Sequence, residues 1–328
     1  MPDDVEIWTG RLKKPNATWP EASAWITRKA GKVQHVGQLI KSPYAPAFTQ
    51  GAIFAPRVAF VVEQQKASSL GLPSGKLAVR SSRSVQEKKP WKDFPSITGV
   101  LESEFVRPFY TGDNIFPFRI GAPLLAVVPC GKNGVLQQSQ IDMQPGLQQW
   151  WEKADSLWMK NRSSERLTLA EQLDYQSKLS KQFPIPPLRI VYNRAGMHLV
   201  AAKISERRAL IASGLYWAAV RTHEEADYLC AVMNAPVTTE LVRPFMSYGK
   251  DERDIHKHVW EVPIPLFDQN NAVHNRLAEL GRDAEKFVAT FDLNVDLHFA
   301  ASRRHIREAL FATDGGQEMN EIVFELIG

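Results

Sequence analysis

The feature that most constrains this chain is a helical stripe from about Ala272 to Thr290, where Val273, Leu277, Leu280, Ala284, Phe287 and Val288 recur at the spacing of one helix face. A helix with such a face must bury it against another layer. Upstream, apolar residues come instead in short β-branched and aromatic runs broken by Pro, Gly and Asn. GAIFAPRVAFVVE, from Gly51, has Pro56 in its middle and reads as two short strands or one edge strand with a bulge. Lys76 to Arg83 alternates as a strand, followed by a loop through Trp91. Residues 99 to 107 and 119 to 129 are two more strand-like runs, with Gly112, Asp113 and Asn114 reversing the chain between them. LRIVYNRAG and HLVAAKIS pair as a hairpin turned at Asn193 to Gly196, and Ala209 to Arg221 reads as one further strand.

Helices punctuate these runs. Pro145 suits a first helical turn, and Leu147, Trp150, Trp151, Leu157 and Trp158 then fall on one side. That spacing assigns the three Trp to the core rather than to base stacking. A second amphipathic helix is expected over about Leu167 to Gln182. Residues His223 to Pro236 form a third, with Thr222 as cap, Glu224 and Glu225 in the first turn, and Asn234 with Pro236 at the stop. WEVPIPLF (Trp260 to Phe267) is extended by its prolines, and after the stripe helix two further helical stretches, about 296 to 311 and 317 to 327, close the sequence.

The fold class is therefore α/β, an α+β mixed-sheet body with a helical C-terminal tail. Three divisions are expected: an irregular lead-in over 1–35, broken by Trp-Pro and Lys-Pro steps, an α/β body over 36–262, and a helical segment over 263–328. With 328 residues and 44% hydrophobic side chains the chain can build a sizeable core. Cys130 and Cys230 have no C-x-x-C spacing, which suggests neither a disulfide framework nor a structural zinc site. The N-terminus lacks the apolar run of a signal peptide and no window approaches a membrane span, so a cytoplasmic protein without a membrane partner is expected.

Motifs of group-transfer chemistry are missing. There is no Gly-rich strand-to-helix cofactor loop, and no Asn-Pro-Pro-Tyr loop to hold a flipped adenine. Asn234-Ala235-Pro236-Val237 lacks the second Pro and the aromatic. The LGLPSGKL string near Gly71 lacks the spacing and hydroxyl residue of a phosphate-binding loop. Asp251, Glu252, Asp254, His256 and His258 are ligand types at close spacing, which keeps a metal-dependent nuclease as an alternative beside the simpler reading of a solvated charged loop. A helical protein-interaction scaffold of a defence complex is the other alternative.

Basic residues carry more information. Between Lys76 and Lys92 stand Lys76, Arg80, Arg83, Lys88, Lys89 and Lys92 against one acid, Glu87, a net +5, with serines interleaved and Trp91 beside them. Lys, Arg and Ser are the usual phosphate-contacting set, and Arg can also read guanine edges. A second group, Arg189, Arg194, Lys203, Arg207 and Arg208, surrounds the hairpin turn at Asn193.

Four segments in order, QGAIFAPRVAFVVE, KKPWKDFPSITGVLESEFVRPFYTGDNIFPFR, EEADYLCAVMNAPVTTELV and RDIHKHVWEVPIPLFDQNNAVHNRLAELG, cover about Gln50 to Gly281. Together they resemble the C-terminal target-recognition region of TaqI-like, gamma-class adenine-N6 DNA methyltransferases of restriction-modification and phage-defence systems. The resemblance implies a target-recognition-domain-like fold, sequence-specific recognition of double-stranded DNA, and a methyltransferase catalytic domain or subunit as partner. S-adenosylmethionine (SAM) would bind that partner, and this chain would hold no cofactor or metal and would not be an enzyme on its own. The DNA-binding residues expected are Lys76, Arg80, Arg83, Lys88, Lys89, Trp91, Lys92, Asn193 and Arg194.

Overall fold

The computed structural model describes residues 4–10, 14, 18–23, 26–32, 41–66, 71–85, 87–246, 254–293 and 298–328. They fall into two compact units, Met1–Ile40 and Lys41–Gly328. In the first, strands β1 (Asp4–Gly10) and β2 (Ile26–Lys32) pair antiparallel, Asp4 opposite Lys32 and Gly10 opposite Ile26, with the short helix α1 (Trp19–Ser23) between them. The irregular lead-in expected there is corrected to a hairpin. Its strands hold few apolar residues, Val5, Ile7 and Trp8 in β1 and Ile26 and Ala30 in β2, so no apolar run marks them in the sequence.

The larger unit is built on two sheets. In chain order its first strands are β3 (Thr49–Gln50), β4 (Val61–Gln64), β5 (Lys76–Ser81), β6 (Thr98–Glu102) and β7 (Val106–Tyr110). A small pair, β8 (Ile115–Phe116) and β9 (Arg119–Ile120), precedes β10 (Leu124–Val127). Then come β11 (Arg189–Asn193), β12 (Ala201–Ile204), β13 (Leu210–Ile211) and β14 (Leu215–Ala219). One sheet has the order β13-β7-β10-β4-β5-β6, and the other β12-β11-β14-β3. All pairings are antiparallel except β13 with β7.

Several elements match the sequence reading and others depart from it. Pro56 does not sit inside a strand: it precedes a buried helical turn, α2 (Arg57–Phe60), and β4 begins after it in the middle of the sheet rather than at an edge. Having no N–H to give to a ladder, Pro56 stands ahead of β4 rather than in it. The helix expected over 167–182 breaks after α5 (Leu169–Leu173), because Gln176 and Ser177 both take φ 58° and Asp174 Oδ1 accepts from the N–H groups of Leu179 and Ser180 instead. The run 209–221 is two strands, split at Ser213-Gly214 and belonging to different sheets.

Helix α3 (Gln138–Ile141) leads into α4 (Pro145–Asn161), which lays Leu147, Trp150, Trp151, Ala154 and Trp158 into the core of the six-stranded sheet. The Trp150 indole donates to the Ala59 carbonyl at 2.8 Å, which satisfies its one donor inside the core. On the second sheet sits α6 (His223–Asn234), capped by Thr222 Oγ1, which accepts from Glu225 N. After α7 (Pro236–Val242), the stripe helix α8 (Ala272–Ala289) packs on α6, followed by α9 (Phe299–Phe311) and α10 (Asp314–Ile327). The C-terminal helices share one hydrophobic cluster with α6 and the second sheet. No described helix is long and apolar enough to cross a membrane.

Two contacts fix this layer. A Cβ on Gly281 would lie 2.3 Å from the Asp227 carbonyl oxygen, so α8 approaches α6 more closely than any side chain permits. Beside it, the buried Asp227 carboxylate meets Lys203 and, at 3.4 Å, Arg282 Nε. Gly281→Ala is expected to destabilise the chain by about 2 to 3 kcal/mol, since the obstructing atom is backbone, and to lower Tm by several degrees in thermal unfolding. His274, buried against Tyr228, accepts from Asp268 N at 3.0 Å through Nδ1, and burial holds its pKa below the ordinary 6.5. Because the folded pKa is the lower one, this contribution is intact above about pH 6.5 and is lost as pH falls through the folded value. Tm should therefore drop between about pH 7 and pH 5, and His274→Asn should flatten that drop.

Candidate nucleic-acid interface

The basic segment after β5 forms a strap tied down by its own arginine. Arg83 donates through Nε to Glu87 Oε2 at 2.7 Å, through Nη1 to the Phe94 carbonyl at 2.7 Å and through Nη2 to the Trp91 carbonyl at 2.9 Å. All three faces of the guanidinium are thus engaged within the strap. Lys76 is likewise committed: its ammonium pairs with Glu102, which also accepts from Gly146 N and Leu147 N and so caps α4. Both residues, expected to contact DNA, engage their charge in internal ties in the structure. Arg80 is exposed on β5, opposite Glu63 in the register.

With Arg83 holding the strap from within, Lys88, Lys89 and Lys92 stand exposed on it. Lys88 and Lys92 have no carboxylate partner among the described residues. Lys89 lies 3.8 Å from Asp93 with both side chains mostly in solvent, a pairing of little energetic weight. Trp91 is half-buried and stacked on Trp158, ring centroids 5.8 Å apart and planes 9° from parallel. Its ring therefore forms a wall more than a free stacking platform.

Beside the strap lies a hollow of about 380 Å³, lined by Arg57, Ser84, Glu87, Lys88, Trp91 and Gln172 among others. Arg57 donates to the Ser82 carbonyl at 2.9 Å; burial pulls its pKa down and the Glu87 charge opposes that pull. Glu87 uses Oε2 for Arg83, while its Oε1 is buried with no hydrogen-bond partner among the described residues. The cations suit a phosphate backbone, and the free Glu87 oxygen is an acceptor that suits a donor such as a base amino group rather than a phosphate. Arg57 and Gln172 escaped the sequence reading. Gln172 joins the hollow from α5, some eighty residues along the chain, and no local pattern announces that.

The second group divides. Asn193 is only 1% exposed, and its amide donates to the Ala195 and His198 carbonyls and accepts from Val200 N, so it shapes the hairpin turn. The DNA contact expected of Asn193 is corrected to that structural role. Arg194 is half-exposed, with Nε 3.7 Å from Asp254. Arg189 is fully buried and donates to the Ala209 and Glu206 carbonyls, which leaves its pKa lowered to about 10 by burial. Arg208 bonds the Ser103 and Val106 carbonyls, and Lys203 belongs to Asp227 and Glu285. The structure thus brings Lys88, Lys89, Trp91 and Lys92 together and places Arg194 at a separate location.

Of the nuclease-type cluster, Asp251 and Glu252 lie outside the described residues. Asp254 faces Arg194, and the His256 ring meets the Tyr216 hydroxyl. Among the described residues no three His, Cys, Asp or Glu side chains gather as a metal-ion site. Cys130 and Cys230 are free and buried, and burial pushes the Cys130 thiol up to about 12, far from a reactive thiolate.

No family model matches the chain, and no curated relative matches it. Among solved structures it is similar to part of the Type IIL restriction-modification enzyme MmeI, whose structure was determined in complex with DNA. The TM-score is 0.56 at 10% identity, over 99% of this chain and 38% of that one. The type IIG restriction endonuclease BpuSI is matched at 12% identity over 92% of this chain and 36% of that one, with a TM-score of 0.34. The chain thus spans 38% of the first protein's length and 36% of the second's. It has a mixed α/β fold similar to that of a region of a restriction-modification enzyme.

Proposed function

We propose that this chain reads double-stranded DNA as the target-recognition module of a restriction-modification system. In this reading methyl transfer to adenine N6 belongs to a catalytic part, on a further domain or a separate subunit, which holds S-adenosylmethionine. The observation that carries the reading is the strap. Arg83 anchors it from inside, so that Lys88, Lys89 and Lys92 are displayed together beside the hollow of Arg57, Glu87 and Trp91. Displayed lysines on a fixed backbone are suited to phosphate contacts, because they neutralise the duplex and release its counterions.

Two further points support it. The similar region belongs to a restriction-modification enzyme solved in complex with DNA. The sequence also contains neither the cofactor loop nor the Asn-Pro-Pro-Tyr loop, which agrees with a recognition role separate from catalysis. Flipping a base out of the stack costs a few kcal/mol, so a catalytic domain working on adenine gains from a second surface that grips the duplex.

The test is fluorescence anisotropy of a labelled duplex titrated with the chain at a series of salt concentrations. Affinity should fall steeply with salt, with a log-log slope of about 0.9 for each phosphate contacted. Lys88→Glu/Lys89→Glu should weaken binding at least about tenfold and make the slope shallower by one to two. A wild-type chain with no salt-dependent duplex affinity would overturn the reading. Unchanged binding by the double variant would remove the strap from it.

A further inference from the structure

A second hollow, of about 360 Å³, opens at the edge of the four-stranded sheet, where Gln50 and Tyr216 meet Gln176, Lys178, Lys181 and Lys257. Three lysines line it, Arg194 stands close enough to act on Lys178, and among the described residues no carboxylate lines it. Lys178 is fixed in place: its ammonium donates to Gln50 Oε1 at 2.9 Å, and Gln50 Nε2 donates to the Ser213 carbonyl at 2.7 Å. An ammonium has three donors, so this tie leaves capacity for a ligand. Burial, and then the positive charges of Arg194, Lys181 and Lys257, hold the Lys178 pKa below its ordinary value. Arg194 is already paired with Asp254, whose charge also acts on His256 and Tyr216. Among the described residues the cations here without a carboxylate are therefore Lys178, Lys181 and Lys257, and these repel one another until an anion joins them.

Backbone at this hollow is also held in an unfavourable conformation. Gln176 and Ser177 have φ 58° and His256 has φ 43°, three of the four non-glycine residues with positive φ among those described. Such backbone is unfavourable for residues with a Cβ and persists where surrounding bonds over-determine it. His256 is held in that way: its N–H donates to the Arg194 carbonyl at 2.8 Å, its carbonyl accepts from Tyr192 Oη at 2.9 Å, and its ring meets Tyr216.

We propose that this hollow is a phosphate-binding site, and that the group it takes is a backbone phosphodiester of the same duplex gripped by the Lys88 to Lys92 strap. The proposal rests on the DNA reading above. Gln172 lines the first hollow and Gln176 the second. Four residues apart, their Cα atoms are separated by at most about 15 Å. A duplex carries one charge per about 1.7 Å of axis, so a short stretch of DNA is long enough to span both hollows. Because the contact is to backbone, it contributes grip and register and no sequence preference.

The experiment compares the wild-type chain with Lys181→Ala/Lys257→Ala, and with Lys286→Glu on α8 as a remote charge control. Each is titrated against two duplexes of unrelated sequence over a salt series, and melted with and without inorganic phosphate and pyrophosphate. The double variant should lose about tenfold in affinity for both duplexes alike and make the log-log salt slope shallower by about one, with the control unchanged. A double variant with wild-type slope and affinity, while the strap variant is weakened, overturns the phosphate site and leaves the DNA reading standing. If the wild-type chain binds no duplex, the DNA reading fails. The melting arm then decides the hollow: phosphate or pyrophosphate stabilising the wild type and not Lys181→Ala/Lys257→Ala supports an anion site for a free phosphate, and equal or absent stabilisation overturns it.

Discussion

The larger unit depends on one backbone crossing, where Gln50 to Ala52 runs against Ile211 to Leu215. A Cβ on Gly51 would lie 2.3 Å from the Ile211 carbonyl oxygen and 2.4 Å from that of Ala212, so the two segments meet backbone to backbone. Gly51 N donates to the Leu215 carbonyl, Ala52 N to that of Ile211, and Ser213 N to that of Ala52. Residue 211 belongs to the six-stranded sheet and residue 215 to the four-stranded one. The turn between them, with the strand segment at Gln50, is therefore where the sheets are joined. The Gln182 side chain completes the crossing by bonding both the carbonyl and the N–H of Ile211. Because Gln50 also receives Lys178, the joint that fixes the sheets fixes the second hollow as well.

Charge in this protein has to be sorted by location before it says anything about a partner. The net +4 of the sequence includes cations that are structural ties: Arg83 within the strap, Arg189 buried under the Ala209 carbonyl, and Lys203 among carboxylates. Among the remaining cations, two sets gather at hollows, Lys88 to Lys92 at the first and Lys178 with Lys181 and Lys257 at the second. An arginine is suited to the internal work because its planar fork reaches several carbonyls at once, whereas a lysine is a single hydrated charge best left at the surface. The interface proposed above follows that division, with arginines setting the shape and lysines meeting the phosphates.

Much of the scaffold was legible in the sequence. The helices starting at Pro145, His223 and Ala272 follow from first-turn or capping residues and apolar spacing, and the hairpin turned at Asn193 follows from its turn chemistry. What escaped was set by contacts distant in sequence. Ser213-Gly214 marks the turn inside Ala209 to Arg221, but that its two halves join different sheets depends on the close approach of Gly51, more than 150 residues earlier. The break after α5 depends on Asp174 capping backward onto Leu179 and Ser180. At the site, charge counting found Lys88, Lys89, Trp91 and Lys92 as a local cluster. It also assigned the buried Asn193 to a ligand, because sequence cannot show which polar groups are already satisfied by backbone. Lys178, Lys181 and Lys257 were missed for the opposite reason: they become a cluster only when the fold brings the segments together.

The central claim is that the strap and both hollows meet duplex DNA. Hydrogen-deuterium exchange of the intact chain with and without duplex addresses it most directly, because it maps contact along the backbone without a substitution. The account predicts slower exchange over residues 84–94, 175–181 and 254–258 on adding DNA, reversed by high salt. Unchanged exchange in all three segments, with protection confined to α8, α9 and α10, would contradict it.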